Sequence, residues 1–98
     1  MLQLRDVDVI VREVAQRHLA SLGVQNVQSE PTTDSEGNDA LRITITLQSA
    51  EGIAHSGGAL LDTLTEMLDR LNEAKDPRFA IIDYVSEEEL DTVDDPDS

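Results

Sequence analysis

Residues 41–48, Leu-Arg-Ile-Thr-Ile-Thr-Leu-Gln, alternate apolar and polar side chains without a break, and the β-branched run Ile43-Thr44-Ile45-Thr46 favours a pleated backbone. A strand of this kind has one dry face, so Leu41, Ile43, Ile45 and Leu47 must look into a core. Ninety-eight residues make room for one small domain in which each buried side chain matters. Only two other stretches, one on each side of this strand, carry enough apolar surface at helical spacing to cover it.

The first is predicted to run from about Val7 to Leu22, with Asp6 as its cap and Val7, Ile10, Val11, Val14, His18 and Leu22 on one stripe. Gly23 ends it as a left-handed cap and Val24 follows where such a cap places an apolar contact. Its interior is rich in valine, so packing rather than intrinsic propensity must hold it. The second is predicted over Ala59 to Lys75, with Leu60, Leu61, Leu64, Met67, Leu68 and Leu71 on one side, and Asp76-Pro77 stops it because the residue before a proline avoids helical angles. The connector Ser49 to Gly58 leaves room for one short helical turn.

Val24 to Ser29 reads as a weaker strand, since Val24 and Val27 differ in parity; a bulge or an edge position reconciles them. Glu30 to Asp39 holds little that can be buried and ends in a turn signal at Gly37-Asn38, which predicts a long hairpin loop. Phe79 to Val85 is a third strand, apolar except at Asp83. Ser86-Glu87-Glu88-Glu89 has the capping-box pattern, with Leu90 as the one anchor of a terminal turn. The resulting expectation is an α+β fold in the order α-β-β-α-β: one two-layer domain over 1–90, with a three-stranded mixed sheet, both helices packed on one face, a right-handed crossover, and an acidic disordered tail over 91–98.

That order, with a second short helix at Gly52 to Ser56, resembles a type II K-homology domain such as ribosome-assembly factors carry. The resemblance covers the element order over most of the chain and implies an RNA or ribosome accessory role. The family's nucleic-acid loop has two glycines flanking two residues, at least one usually basic. Neither Gly52-Ile53-Ala54-His55 nor Gly57-Gly58-Ala59-Leu60 matches it, so no binding residue is carried over.

Charge narrows the partners. Twenty-one acidic residues stand against seven basic ones, for a formal net charge of -14. Such a field repels phosphate backbones and anionic lipid, which makes nucleic acid and membrane poor partners and a basic protein a good one. The same composition suits the surface of a salt-adapted cytoplasm. There is no cysteine, which excludes disulfides and thiolate metal sites, and no apolar run approaches the roughly 20 residues a bilayer span needs. Arg5, Asp6 and Asp8 interrupt any signal-like run near Met1, so a soluble prokaryotic protein of the cytoplasm is expected.

No catalytic, cofactor or metal site is expected. Ser56-Gly57-Gly58-Ala59 could turn backbone amides to an anion, but no cation lies near it in sequence and its glycines lack the phosphate-loop pattern. Ser56 beside His55 lacks the strained elbow of a serine nucleophile. His18 falls on an apolar stripe as a satisfied boundary residue, and His18 and His55 lack zinc-site spacing. Asp34, Glu36, Asn38 and Asp39 are rich in oxygen, yet Gly37 is fourth and Ile45 twelfth from Asp34, which fails the calcium-loop pattern.

Two surfaces remain as candidates. Asp62, Glu66, Asp69 and Glu73, at i, i+4, i+7 and i+11, form an acidic stripe that suits a basic surface. On the third strand, Asp83 cannot enter a small core unpaired, which turns Phe79, Ile81 and Val85 outward beside Arg42, Thr44 and Thr46, with Asp83 against Arg42. The expected function is a non-enzymatic acidic adaptor, inhibitor or regulatory subunit that binds protein through the sheet face or the stripe, a second copy across a two-fold axis being the simplest occupant of the face. The alternatives are the K-homology-like accessory factor and a small non-catalytic subunit of a larger enzyme.

Overall fold

The computed structural model describes residues 2–87. In chain order these form α1 (Leu4–Leu19), a single 3-10 turn (Ala20–Leu22), β1 (Val24–Thr33), β2 (Asp39–Leu47), α2 (Ala50–Ala54), α3 (Gly57–Glu73) and β3 (Phe79–Ser86). The strand order is β1-β2-β3, with β1 antiparallel and β3 parallel to β2. The α+β class, the order of the five main elements and the helices packed against a mixed sheet are therefore as expected. The short α2 overlaps the small-residue connector, where Ser49 Oγ accepts the Glu51 N–H at 3.2 Å. The acidic tail over 91–98 and the Ser86 to Glu89 capping box with Leu90 extend outside the described residues.

The central strand behaves as its alternation dictates: Leu41, Ile43, Ile45 and Leu47 are fully buried under Val7, Val11, Val14 and Leu19 of α1 and Met67 and Leu71 of α3. Helix α1 begins earlier than expected, at Leu4. Gln3 precedes it without a side-chain cap, its carbonyl accepting the Asp6 and Val7 N–H groups, and Asp6 lies in the first turn, where it favours the positive end of the helix dipole. The helix also ends earlier, at Leu19, and the 3-10 turn carries the chain to Gly23, whose φ of 75° is the left-handed cap foreseen. Gln48 N–H then donates to Gly23 O at 3.0 Å, which fastens this cap to the end of β2.

Strand β1 is four residues longer than its sequence pattern indicates, and the hairpin loop shrinks to 34–38. The register slips once, between Val24 and Asn26, and this bulge puts Val27, Ser29 and Pro31 opposite Ile45, Ile43 and Leu41. Glu30 to Thr33 hold little that can be buried because β1 is an edge strand with a solvated outer face, which needs no apolar alternation. Asp34 closes the turn: its Oδ1 accepts the Glu36 and Asn38 N–H groups at 2.8 and 2.9 Å, while Gly37 supplies a φ of 85°. Those bonds, led by that from the Asn38 backbone, hold the Asp34 carboxyl below its ordinary range.

Helix α3 ends at Glu73, two residues before the expected stop. Lys75 adopts a left-handed φ of 59°, and Asp76 N–H donates back to Leu71 O at 2.9 Å. Leu61 is not part of the buried stripe; it is 62% exposed. It lies roughly 100° of helix from Leu60, on the side away from the core, whereas Thr63 sits in line with Met67. Thr63 is fully buried because its hydroxyl donates to Ala59 O at 2.8 Å.

Candidate functional site

With β2 fixed by its buried face, the register decides what the opposite face displays. Ala40, Arg42, Thr44 and Thr46 stand beside Phe79, Ile81, Asp83 and Val85 of β3, and beside Thr32, Glu30, Gln28 and Asn26 of β1. Phe79 is 54% exposed, and Ile81 and Val85 are half-buried. Between them Arg42 Nε donates to Asp83 Oδ2 at 2.8 Å. Both side chains of that pair are about half exposed, so it contributes little to stability, but it neutralises the one charge on β3. Thr46 is almost fully buried between its neighbours. The six sheet residues singled out from sequence, Arg42, Thr44, Thr46, Phe79, Ile81 and Val85, thus share one face by register, opposite the buried row Leu41, Ile43, Ile45 and Leu47.

The four acidic residues of α3 belong elsewhere, since both long helices pack on the other face of the sheet. Asp62, Asp69 and Glu73 are exposed. Glu66 departs from the expected stripe: it turns into the seam between α1 and α3, where Oε2 accepts from Arg17 Nη1 at 2.7 Å and Oε1 lies 2.7 Å from His18 Nε2. Arg70 Nη1 stands 3.5 Å away, and Arg70 Nη2 bonds Glu13 at 2.8 Å. The His18 hydrogen bond, followed by the neighbouring positive charges, holds the Glu66 carboxyl below its usual range, and the bond to Glu13 raises Arg70. A stripe of four like charges on paper is three in space. Spacing along one helix cannot reveal this, because the neutralising groups arrive from a helix almost fifty residues away. His18 is the satisfied boundary residue its position implied.

Sequence reasoning missed one buried charged cluster. Asp76, expected only to stop α3, has a fully buried side chain whose Oδ2 accepts from Arg78 Nη2 at 2.6 Å and from Leu2 N–H at 3.1 Å. Arg78 Nη2 also donates to Leu2 O at 2.8 Å, so the pair ties the lead into α1 to the turn before β3. The Asp-x-Arg spacing around Pro77 is the one signal that was available.

Two concavities flank these features. One of about 370 Å³ runs along β1 and is lined by Asp8, Ser29, Glu30, Arg42 and Thr44 among others. The other, of about 420 Å³, lies between the hairpin turn and the start of β3, against Asp34, Asn38, Arg78 and Phe79. Both are open, and Arg42 and Arg78 are already ion-paired. Among the described residues no three His, Cys, Asp or Glu side chains converge as a metal site would require, and no helix is long and apolar enough to cross a membrane. Comparisons with protein-family models, curated proteins and solved structures return no match to this chain.

Proposed function

We propose that this chain is a non-enzymatic interaction module of the cytoplasm that binds a protein partner through the outer face of its sheet. The observation that carries the reading is the apolar row Phe79, Ile81 and Val85, of which Phe79 is 54% exposed and the other two are partly buried, on a face whose only β3 charge is already neutralised by Arg42. Exposed large apolar side chains in a contiguous row mark binding surfaces more often than isolated ones do. The acidic stripe supports the reading less well now that Glu66 is committed to the helix seam.

Substitution separates the two surfaces. A protein retained by the wild-type chain from native lysate is expected to be lost with Ile81→Lys and kept with Asp69→Lys, both variants melting within a few degrees of wild type. Retention by Ile81→Lys would remove the sheet face from consideration. The K-homology-like role is favoured by one observation, the α-β-β-α-α-β order with a short α2. Against it, α2 and α3 are joined by His55 and Ser56, and four of the seven basic residues, Arg17, Arg42, Arg70 and Arg78, are held in ion pairs. Salt-sensitive filter binding to structured RNA would reinstate that role.

A further inference from the structure

The concavity of about 420 Å³ at the start of β3 differs in kind from the one along β1, because it contains the only phenylalanine of the chain. Phe79, 54% exposed, shares it with Asp34, Asn38, Asp39, Pro77 and Arg78. The charges in it are not equivalent. Arg78 is 9% exposed, and its guanidinium is taken up by Asp76 and Leu2 O. Asp34 is held by its own turn, its two oxygens meeting the Glu36 and Asn38 N–H groups and Asn38 Nδ2. Asp39 is exposed; its charge helps to hold Arg78 protonated, yet no ion pair joins it to Arg78 among the described residues. One aromatic ring and one carboxylate therefore stand uncommitted.

We propose that this concavity seats an arginine side chain of the protein partner, its aliphatic stem lying over Phe79 and its guanidinium reaching Asp39. The register brings the two groups close: Asp39 precedes Ala40, and Ala40 is the partner of Phe79 across strands that lie about 4.8 Å apart. By alternation Asp39 begins on the helix side of the sheet and Phe79 on the outer side, so the concavity wraps the end of the sheet and both residues line it. A long side chain with an apolar stem and a charged head suits that shape, since such stems lie along apolar surface while the head stays with polar groups.

Charge selects the occupant. With Arg78 cancelled by Asp76, the concavity keeps the negative charges of Asp34 and Asp39, on a chain whose net charge is -14. Pro77 has no N–H, so that part of the wall offers no donor to an anion. A cationic group is favoured, and a basic partner is drawn to the same end of the molecule. Between the two long cations, a guanidinium stacks on an aromatic ring and presents a planar fork to a carboxylate, which an ammonium does not. Aromatic side chains and arginine are also the pair that interfaces enrich most.

The inference rests on the outer face being the partner surface, because Phe79 ends the row that Ile81 and Val85 continue, yet the two fail separately. Acetyl-arginine amide is titrated into the isotope-labelled full chain at constant ionic strength, to about 50 mM because a single side chain binds weakly. It is expected to move the ring signals of Phe79, which identify themselves as the chain's one phenylalanine, and the amides of Asn38 and Asp39. The citrulline analogue, similar in shape but uncharged, should move them at most about a third as far. Asp39→Asn and Phe79→Leu should each weaken arginine binding about threefold, read from the Asn38 amide, with the rest of the spectrum unchanged because both side chains are exposed. Signals at Phe79 and Asp39 that stay still, a response centred on Gln28 and Glu30 instead, or equal shifts with citrulline would overturn the inference. If the ring signals stay still while Ile81→Lys loses the lysate partner, the arginine seat falls and the outer face stands; if they respond while Ile81→Lys keeps the partner, the reverse holds.

Discussion

Replacing Asp76 with alanine isolates the one ion pair in the described fold that lies out of water. The carboxylate takes three hydrogen bonds from the Arg78 side chain at 2.6–3.2 Å, one from the Arg78 backbone and one from Leu2 N–H. Asp76 is fully buried at its side chain and Arg78 is 9% exposed. Truncation leaves a guanidinium with only Leu2 O as acceptor, and removing one partner of a buried pair costs about 3–5 kcal/mol. The lower end applies, because Arg78 lies at the margin of the core and its flexible stem can carry the charge out to water. A loss of about 3 kcal/mol in urea unfolding corresponds to a melting temperature lower by roughly 12–24 °C in a domain of this size. Adding Arg78→Met to Asp76→Ala should recover part of that loss, since an apolar side chain needs no partner. A cost below about 1 kcal/mol for Asp76→Ala, the range of exposed pairs, would refute the argument.

The same pair sets a pH window. The Arg78 hydrogen bonds, helped by the backbone N–H groups of Arg78 and Leu2, hold the Asp76 carboxyl well below the carboxylate range against the opposing effect of burial. A carboxyl depressed on folding stabilises the native state above its unfolded pKa of about 3.9, and that contribution is lost as pH falls through the folded value. The stability gap between wild type and Asp76→Ala should therefore stay constant from neutrality to about pH 5 and close only in stronger acid. A gap that closes between pH 7 and 5 would contradict the assignment.

Leu61→Asn should change unfolding free energy by less than about 0.5 kcal/mol, because the side chain is 62% exposed; a loss in the 2–5 kcal/mol range of core leucines would return it to the stripe. Gly23→Ala should destabilise by about 1–2 kcal/mol: a Cβ there would meet Gln48 Oε1 at 2.8 Å on a backbone with φ of 75°. Melting temperature should rise as potassium chloride goes from dilute to molar, since screening shortens the Debye length to about 3 Å and relieves repulsion among the carboxylates; a flat or falling curve counts against a surface adapted to salt.

What could be read in advance was what depends on neighbours in sequence. Leu41 to Leu47 announced both a strand and its buried face, because burial on one side only writes its period directly into the chain. Gly23 announced a left-handed cap for the same local reason. The failures trace to geometry fixed from a distance. Glu30 to Thr33 look like loop because an edge strand can pair through its backbone while burying almost nothing. Leu61 looks like core because a leucine-rich helix offers several stripes, and only the docking of α1 and β2 chooses among them. Glu66 and Asp76 meet their partners through helix packing and a turn, neither of which leaves a periodic mark. The outer sheet face could be inferred, since one aspartate in an apolar strand fixes which parity faces the core, and the Arg42–Asp83 pair bears out that placement.

The acidity so evident in composition is also unevenly placed. Seven of the 21 acidic residues and none of the seven basic ones fall within 87–98, which therefore accounts for half of the net charge. On the outer sheet face Arg42 is paired with Asp83, and Glu30 beside it leaves one unmatched acid near the apolar row. If the proposed partner is basic, charge in the terminal segment and on α3 would set how fast it arrives and make that rate fall with salt. Apolar burial against Phe79, Ile81 and Val85 would set how long it stays, with little effect of salt. Association and dissociation rates measured from low to high salt separate the two: a dissociation rate that rises as steeply with salt as the association rate falls would contradict the proposed division.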